Sequence, residues 1–301
     1  MSNNEEIDSY YFIADYHALN FIKSKEELIG YTKEIACTWL ACGLDPNKIV
    51  FYKQSQVPEV TELNWLLCNV TSKGLMNRAH AYKALVDKSV SAGDDPDALV
   101  NMGLYNYPIL MAADILLFNT KFVPVGLDQK QHVEMARDIA KSFNKRYGNT
   151  FVIPTEIIKE SVATIAGIDG RKMSKSYGNQ IPLFCTEQEL KKLISSVKTD
   201  STLPTEPKTT DCAVFSLYKL FATEEEIQAM TEKFAKGISW AEAKAELFNV
   251  ANKYLAPMRE KYNYYMSHYE EVEKMLEEGA KKARVIAKET LLRARTNIGL
   301  N

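Results

Sequence analysis

The amino-acid sequence predicts an α/β protein with a doubly wound parallel sheet, followed by an all-helical region. Over the first 185 residues, short runs rich in β-branched and aromatic residues alternate with helical patterns, which is typical of βαβ units. From Thr186 onward the pattern is helical almost throughout. With 301 residues, of which 46% are hydrophobic, the chain is long enough to bury the core that such a fold needs.

Strands are predicted where the first part of the chain has short apolar runs, namely YYFIAD (10–15), IVFYKQS (49–55) and FVPVG (122–126). A helix is predicted over residues 25–42, and another directly after FVPVG. Strands that alternate with helices in this way form a Rossmann-like sheet, in which ligands bind at the carboxyl ends of the strands.

The second part of the chain contains start and stop signals for helices. Capping boxes, in which Ser or Thr is followed three residues later by Glu, occur at Thr186/Glu189, Thr223/Glu226 and Ser239/Glu242. Gly237 is a stop signal, and residues 199–211, with two prolines, predict a surface loop or linker. We therefore predict an α/β domain at residues 1–185 and a helical domain at 186–301.

The composition excludes several classes of protein. A formal net charge of −2 gives no bulk attraction to nucleic acid, so any RNA contact must come from a local patch. The sequence has no run of 18 apolar residues and no basic amino-terminal region, which predicts neither a membrane helix nor a signal peptide and favours the cytoplasm. The five scattered cysteines form no CxxC pair, so we expect reduced thiols and no protein metal site.

The most specific motif is the polar, glycine-flanked segment GIDGRKMSKSYGNQIPLF (167–184). Its centre, KMSKS, consists of Lys172, Met173, Ser174, Lys175 and Ser176. Two lysines on one loop can contact a polyphosphate together, and their charge is most useful where negative charge grows on departing pyrophosphate. The motif therefore predicts a site for ATP phosphates; the alternative is an ordinary charged surface loop.

KMSKS is the signature loop of the class I aminoacyl-tRNA synthetases. Three runs precede it in the sequence, namely FIADYHALN (12–20), NYPILMAADILLF (106–118) and PVGLDQKQHVEMARDIA (124–140). In this order the four segments resemble the tryptophanyl-tRNA synthetases rather than their tyrosine-specific relatives. The resemblance extends to about residue 202. It implies a Rossmann-like catalytic domain and a helical domain that reads the anticodon.

The second of these runs suits the recognition of an indole ring. We predict that Pro108 lies in the first turn of a helix that continues to Phe118, because proline has no N–H to lose there. Helical spacing then places Tyr107, Met111 and Asp114 near one another. A carboxylate within an apolar run needs a hydrogen-bond donor, and the indole N–H is one. The alternative is an aspartate that a neighbouring group satisfies in the core.

The resemblance assigns ligand contacts to the turn after FVPVG. Gly126, Leu127 and Asp128 would bind ATP. Gln129 would hold, together with Tyr107, the ammonium group of tryptophan. From its position alone, Asp128 is equally suited to be the N-cap of the following helix.

Four further side chains are placed at the ligands by the resemblance. Val123 and Val125 would line the indole pocket, His17 would border the amino acid, and Ile165 would pack on adenine. A core or surface role is the alternative for His17, and a core role for Ile165. His132 is expected to face solvent or to pair with an acidic residue.

The resemblance also implies a reaction in two steps. The tryptophan carboxylate attacks the α-phosphorus of ATP bound with Mg²⁺, and the terminal ribose hydroxyl of the tRNA then takes the aminoacyl group. The attacking group is already an anion, so catalysis requires positioning and charge stabilisation, with Lys172 and Lys175 as the principal cations. A homodimer is expected.

A basic segment at residues 279–301 is the candidate tRNA contact. Its candidate contact residues are Arg284, Arg293 and Arg295. The alternative is a solvated helix face, which charged residues on a helix commonly form.

A second signature of class I synthetases is absent from the sequence. This is a His/Thr-x-Gly-His/Asn turn after the first strand, whose donors bind the ATP phosphates. In the expected strand order 3-2-1-4-5 that first strand is central, so without it two strands lie beside a gap. We hypothesise that Met1 is an internal methionine of a longer, active enzyme. The alternatives are a catalytically inactive paralogue that binds a partner and a tyrosine-specific synthetase.

Overall fold

The computed structural model describes residues 7–158 and 165–300, and Met1 lies outside them. The chain divides into two compact units. Unit 1 is formed by Met1–Trp39, Leu44–Glu160 and His268–Asn301, and unit 2 by Leu40–Gly43 and Ser161–Ser267. This division differs from the predicted boundary at residue 185, because unit 2 includes the KMSKS loop and the last helix belongs to unit 1.

The described regular structure has four strands, twelve α-helices and three short 3₁₀ helices. The strands are β1 (Tyr10–Ile13), β2 (Val50–Lys53), β3 (Phe122–Val125) and β4 (Thr155–Ile158). The helices of the first half are α1 (Asp15–Ala18), α2 (Lys25–Ala41), α3 (Glu59–Cys68), α4 (Lys73–Met76), α5 (His80–Ala92), α6 (Met102–Leu116) and α7 (Lys130–Tyr147). Those of the second half are α8 (Glu187–Ser195), α9 (Ala213–Tyr218), α10 (Glu224–Lys236), α11 (Trp240–Ser267) and α12 (Tyr269–Ile298).

The strands form two parallel pairs, both in unit 1. β1 pairs with β2, with Tyr10 opposite Val50, and β3 pairs with β4, with Phe122 opposite Thr155. No described strand joins the two pairs, which agrees with a strand order in which β1 and β3 are not neighbours. The parallel α/β architecture and the three strands expected from the apolar runs are confirmed, whereas β4 was not predicted.

The final helix contributes to the hydrophobic core of unit 1. Its buried residues in that core are Ala280, Ala283, Ala287, Leu291 and Ala294. The small side chains of the four alanines agree with the close approach of α12 to β2, where a Cβ on Gly279 would lie 1.8 Å from the carbonyl oxygen of Phe51. The basic segment is therefore part of unit 1, rather than of the helical domain in which the prediction placed it.

Helix α6 begins earlier than predicted. The side chain of Asn101 caps it by accepting the N–H of Leu104 at 2.8 Å, and the first helical residue is Met102. Pro108 consequently lies inside the helix rather than in its first turn. The prediction was wrong because it used proline as the start signal, whereas Asn101 supplies the N-cap.

Unit 2 is helical around a core of its own, which α8, α9, α10 and α11 build. The capping boxes predicted at Thr186 and Thr223 are confirmed, each with both reciprocal hydrogen bonds. α10 ends directly before Gly237, whose φ of 100° favours glycine. None of the helices in the described part of the chain combines the length and the apolar character that crossing a bilayer requires.

Candidate active site

A buried carboxylate lies at the centre of the candidate site in unit 1. Asp114, on α6, is 7% exposed. The Nε2 of Gln54 donates to both of its oxygens, at 2.9 and 2.8 Å, and the Nε2 of His17 lies 3.0 Å from Oδ2. Gln54 directly follows β2, and His17 lies in α1, just after β1. The site therefore forms where the carboxyl ends of two parallel strands meet α6.

These contacts shape the chemistry of Asp114. Burial raises the pKa of its carboxyl group, and the hydrogen bonds from His17 and Gln54 act in the opposite direction. An ionised carboxylate offers about four positions for hydrogen bonds, and the three contacts leave about one of them open. Asp114 can therefore accept one further donor without losing its present partners.

Two aromatic side chains form the adjoining part of the site. The hydroxyl of Tyr107, on α6, and the Nε2 of His132, on α7, share a hydrogen bond of 2.6 Å. The Tyr107 ring also meets the ring of His17 edge to face, with centroids 6.2 Å apart. The helical face predicted for α6 thus places Tyr107 beside the neighbours of Asp114.

His132 differs from its prediction. It is 6% exposed, it pairs with a tyrosine rather than an acid, and its Nδ1 has no partner among the described residues. The expectation of a solvent-facing histidine was wrong because α7 turns this side chain inward, beside Val133 and Ala136 of its own buried face. Burial lowers the pKa of His132, so the ring is neutral near pH 7.

The apolar residues predicted for the indole pocket are partly buried. Met111 lies one helical turn after Tyr107, and both it and Val123 pack against the core of unit 1. Val125 is also partly buried, at the end of β3. The contacts of these three residues with an indole ring stay predictions.

A cleft of about 420 Å³ opens beside this cluster. It is lined by Tyr16, Leu19, Asn20, Asn64, Asn101, Met102, Gly103, Asn106, Tyr107 and Leu110. Tyr107 is the one member of the predicted set that lines the cleft, as far as the described residues show. Its ring therefore adjoins both this open cleft and His17, which contacts the buried carboxylate.

The turn after β3 forms a short 3₁₀ helix, Leu127–Gln129, that leads into α7. A Cβ on Gly126 would lie 2.6 Å from the Oδ1 of Asp128, so the carboxylate occupies the space that a side chain at this position would need. Asp128 accepts a hydrogen bond of 2.8 Å from the Nε2 of Gln129, and Leu127 is 74% exposed. The residue that caps α7 is Gln129, which makes no side-chain capping bond, so Asp128 is not the N-cap. The predicted contacts of this turn with ATP and tryptophan stay predictions.

The KMSKS loop in unit 2 is shaped by one buried side chain that the motif did not single out. Asn179 is 2% exposed, and its Oδ1 accepts the N–H of Ser174 at 2.8 Å. Its Nδ2 donates to the carbonyl of Lys172 at 3.1 Å and to Asp169 at 2.7 Å. The hydrogen bond from Asn179 is the main cause that lowers the pKa of Asp169 to about 2. The sequence feature that could have identified Asn179 is its position three residues after the motif, in KMSKSYGN.

The side chains of the two loop lysines take no part in these hydrogen bonds. Lys172 and Lys175 are exposed, and neither forms a salt bridge with any residue that the structure describes. Met173 packs on the core of unit 2, and its N–H donates to the carbonyl of Ile165, which is 40% exposed. The hydroxyls of Ser174 and Ser176 lie 2.8 Å apart. Two cations and a pair of hydroxyls thus lie on one loop, which suits an anionic ligand.

The three arginines predicted to contact tRNA all bind within unit 1. Their partners are Glu59 for Arg284, Thr150 and Asn119 for Arg293, and Glu62 for Arg295. The Nε and Nη2 of Arg284 donate hydrogen bonds of 2.8–3.1 Å to the carboxylate of Glu59. These contacts hold α12 in place, and a contact of the same residues with tRNA stays a prediction.

Known proteins that are similar to this chain belong to the family that the sequence motifs indicated. The family model described as "tRNA synthetases class I (W and Y)" matches residues 2–256. The tryptophan–tRNA ligase of Xylella fastidiosa is 53% identical over 279 residues, which are 92% of this chain and 64% of that protein. The tryptophan–tRNA ligase of Pseudomonas aeruginosa is 50% identical over 303 residues, or 99% of this chain and 68% of that protein. The chain thus spans about two thirds of the length of these curated relatives.

A solved structure resembles the whole chain. The crystal structure of tryptophanyl-tRNA synthetase from Campylobacter jejuni, complexed with ADP and tryptophan, has a TM-score of 0.90 and 42% sequence identity. The similarity covers 100% of this chain and 92% of that one. The resemblance inferred from the four motifs is confirmed, and the chain belongs to the tryptophanyl-tRNA synthetases of class I.

Proposed function

We propose that the chain acts as a tryptophan–tRNA ligase in cytoplasmic protein synthesis. It activates tryptophan with ATP and its Mg²⁺, and transfers the amino acid to the tRNA for tryptophan. The observation that supports this most is the buried carboxylate of Asp114, which has room for one more donor on a face that it shares with Tyr107 and Met111. The curated relatives that bear the name tryptophan–tRNA ligase agree with it.

Recognition of tryptophan would depend on the indole N–H. This group donates and cannot accept, so it suits the open position on Asp114. Met111 provides a polarisable wall for the ring, and Tyr107 holds the ammonium group together with Gln129. A site that has a buried hydrogen-bonding group discriminates strongly against analogues that lack the matching partner, because the group is then left unpaired.

Activation would use the exposed lysines of the KMSKS loop. Lys172 and Lys175 have no ion pair to break among the described residues, so their ammonium groups are available for the phosphates of ATP. Because the tryptophan carboxylate is already an anion, the step needs no general base. The lysines stabilise the charge that develops on pyrophosphate. The Asn179 hydrogen bonds fix the backbone from which both side chains extend. We further propose a homodimer.

Pyrophosphate exchange tests this function. We expect exchange that depends on tryptophan and not on tyrosine, measured on this chain and on a form extended by the residues encoded upstream in frame. We also expect Lys175→Ala to lower the exchange rate about 100-fold or more, because the lost charge acts mainly in the transition state. Tyrosine-dependent exchange would indicate the tyrosine-specific alternative. Tryptophan binding without exchange in either form would indicate an inactive paralogue.

A further inference from the structure

We propose that Gln54 is a positioning residue for tryptophan recognition, which holds the Asp114 carboxylate in the orientation that accepts the indole N–H. The proposal rests on the function proposed above and deepens it. Gln54 is not among the residues predicted to contact a ligand, and neither the KMSKS motif nor the runs that resemble the synthetase family include it. Its role follows from three hydrogen bonds and its burial.

The orientation of the Gln54 amide is determined by its partners. Its Oε1 accepts the backbone N–H of Tyr16 at 3.1 Å. A backbone N–H can only donate, so the oxygen of the amide must face Tyr16 and the nitrogen must face Asp114. From that side Nε2 reaches Oδ1 at 2.9 Å and Oδ2 at 2.8 Å. The amide therefore bridges the backbone after β1 and both oxygens of the carboxylate.

The turn that presents Gln54 is itself fixed. Gln54 is 1% exposed and begins a 3₁₀ turn at the end of β2. The next residue, Ser55, donates its N–H to Asp15 at 2.9 Å, and Gln56 accepts the N–H of Lys53 at 2.9 Å. Hydrogen bonds on both sides of Gln54 thus hold the backbone of the turn in place. This fixed backbone determines where the Gln54 side chain begins, and its own hydrogen bonds determine how the amide is oriented.

A neutral amide suits this position better than a charged group. It stabilises the carboxylate without a positive charge that would compete with the substrate for Asp114, and without the repulsion that a second carboxylate would cause. His17 contacts Oδ2 alone, so without Gln54 the carboxylate can rotate about its Cβ–Cγ bond. With Gln54 in place, the plane of the carboxylate and the direction of its open position are fixed.

Binding of two ligands to matched variants tests the proposal. The ligands are tryptophan and its analogue with sulfur in place of the indole N–H, and the measurement is the ratio of their dissociation constants by calorimetry on the full chain. Gln54→Leu keeps the approximate volume and removes the donor. We expect it to reduce the preference for tryptophan about tenfold, because a hydrogen bond to a charged group is lost or misdirected. The affinity for the analogue should change little.

Gln188→Leu is the control, since Gln188 is an exposed glutamine of α8 in unit 2 and takes no part in the turn that presents Gln54. We expect its ratio to equal that of the unmodified chain. If Gln54→Leu weakens both ligands equally, or leaves the ratio unchanged, Gln54 has only a structural role and the proposal is overturned. If the unmodified chain does not bind tryptophan, the proposed function has failed instead.

A second variant keeps the test decisive if Gln54→Leu does not fold. In Gln54→Glu the new carboxyl group is close to Asp114, so at lower pH the pair shares a proton and Glu can donate as the amide does. We expect the preference of this variant for tryptophan to rise at least threefold between pH 8 and pH 6, relative to the unmodified chain. A ratio that stays constant over this range would contradict the positioning role.

Discussion

Asp114 is the residue on which substrate choice should depend most directly. Replacing it with Asn preserves the volume and removes the charge. We expect tryptophan affinity to fall roughly 10–100-fold, because a hydrogen bond to a charged group is worth about 1.5–3 kcal/mol. Isothermal titration measures this change. Asp87→Asn, on the exposed side of α5, is the control and should bind as the unmodified chain does. An Asp114→Asn variant with full affinity would exclude Asp114 from the indole contact.

His132 gives the folded chain a predictable response to pH. Burial lowers its pKa below the ordinary value of 6.5, so between the folded and unfolded pKa values the unfolded state binds more protons. Stability should therefore fall as the pH drops through about 6.5. His17, His80 and Asp128 act on the same ring, the two histidines lowering its pKa further and the carboxylate raising it.

The change His132→Asn isolates this contribution. We expect the loss of unfolding free energy between pH 7.5 and pH 5.5 to be smaller in the variant by about 1 kcal/mol. Urea unfolding at both pH values gives the comparison. Burial raises the pKa of Asp114, which makes its own contribution opposite in sign, but that contribution is common to both proteins. Equal losses would show that the imidazole is not held neutral by the fold.

The sequence predicted the members of this site that share one helix, and the family resemblance added His17, whereas Gln54 and the buried position of His132 were missed. Tyr107, Met111 and Asp114 follow from helical spacing on α6. Gln54 lies 60 residues from Asp114 in the chain, and no local pattern marks a buried glutamine as the partner of a distant carboxylate. The same holds for His132, whose burial depends on how α7 is oriented and not on its own identity.

At the scale of elements, Gly279 determines how closely α12 lies on β2. A methyl group there would overlap the backbone of Phe51, which cannot move without disturbing the strand. We expect Gly279→Ala to lower the free energy of unfolding by about 1–3 kcal/mol through overpacking. Gly30→Ala is the matched control. Nothing lies within 4 Å of its new Cβ, so helix propensity should make α2 about 0.5–1 kcal/mol more stable.

Urea denaturation of the two glycine variants distinguishes packing from propensity. The free energy of unfolding should fall in Gly279→Ala and rise in Gly30→Ala. A stabilised Gly279→Ala variant would mean that α12 does not contact β2 in solution.

The ion pair between Arg284 and Glu59 is the second anchor of α12. The Glu59 side chain is 8% exposed and that of Arg284 is 40% exposed, so removal of the arginine leaves a mostly buried carboxylate without its partner. We expect Arg284→Met to cost about 1–2 kcal/mol, less than for a fully buried pair because solvent screens the arginine. Lys281→Met, which breaks the exposed pair with Glu278, should leave the free energy of unfolding nearly unchanged, because solvent screens both charges.

Thermal or urea unfolding compares these variants. An equal loss of unfolding free energy in both would show that the buried Glu59 does not make the pair with Arg284 more important than an exposed one.

The salt dependence of tRNA binding can be measured on Arg284→Met and on the corresponding variants of Arg293 and Arg295. A flatter dependence would support the predicted tRNA contact. Unchanged affinity and slope would leave these arginines with a structural role alone.

Helix signals predicted where elements begin and end better than they predicted what the elements pack against. The caps at Thr186 and Thr223 depend on neighbours three residues away, and both are confirmed. The charge pattern of α12 indicated a solvated or RNA-binding face. It could not indicate that long arginine side chains reach acceptors more than 140 positions earlier in the chain.

For the whole molecule, the sequence predicted the fold class and not the division into units. Alternating strand and helix patterns are local, and they predicted β1, β2 and β3 and a parallel sheet. The pairs of β1 with β2 and of β3 with β4 come from the structure, and β4 was not predicted. Unit 1, however, is assembled from three separate stretches of chain, and the last of them lies beyond the whole of Ser161–Ser267. A pattern that is read along the chain places a boundary where composition changes, and cannot show that a later helix returns.

That return of α12 has a consequence for biosynthesis. The core of unit 1 is completed late in synthesis, because α12 is translated only after residues 161–267, whereas β1 and β2 precede them in the chain. About 215 residues separate β2 from α12, so at about 5–20 residues per second the surface of β2 that α12 will cover stays open for roughly 10–45 s on the nascent chain. During that interval we expect the emerging protein to be a substrate for chaperones, and the helical unit to fold first.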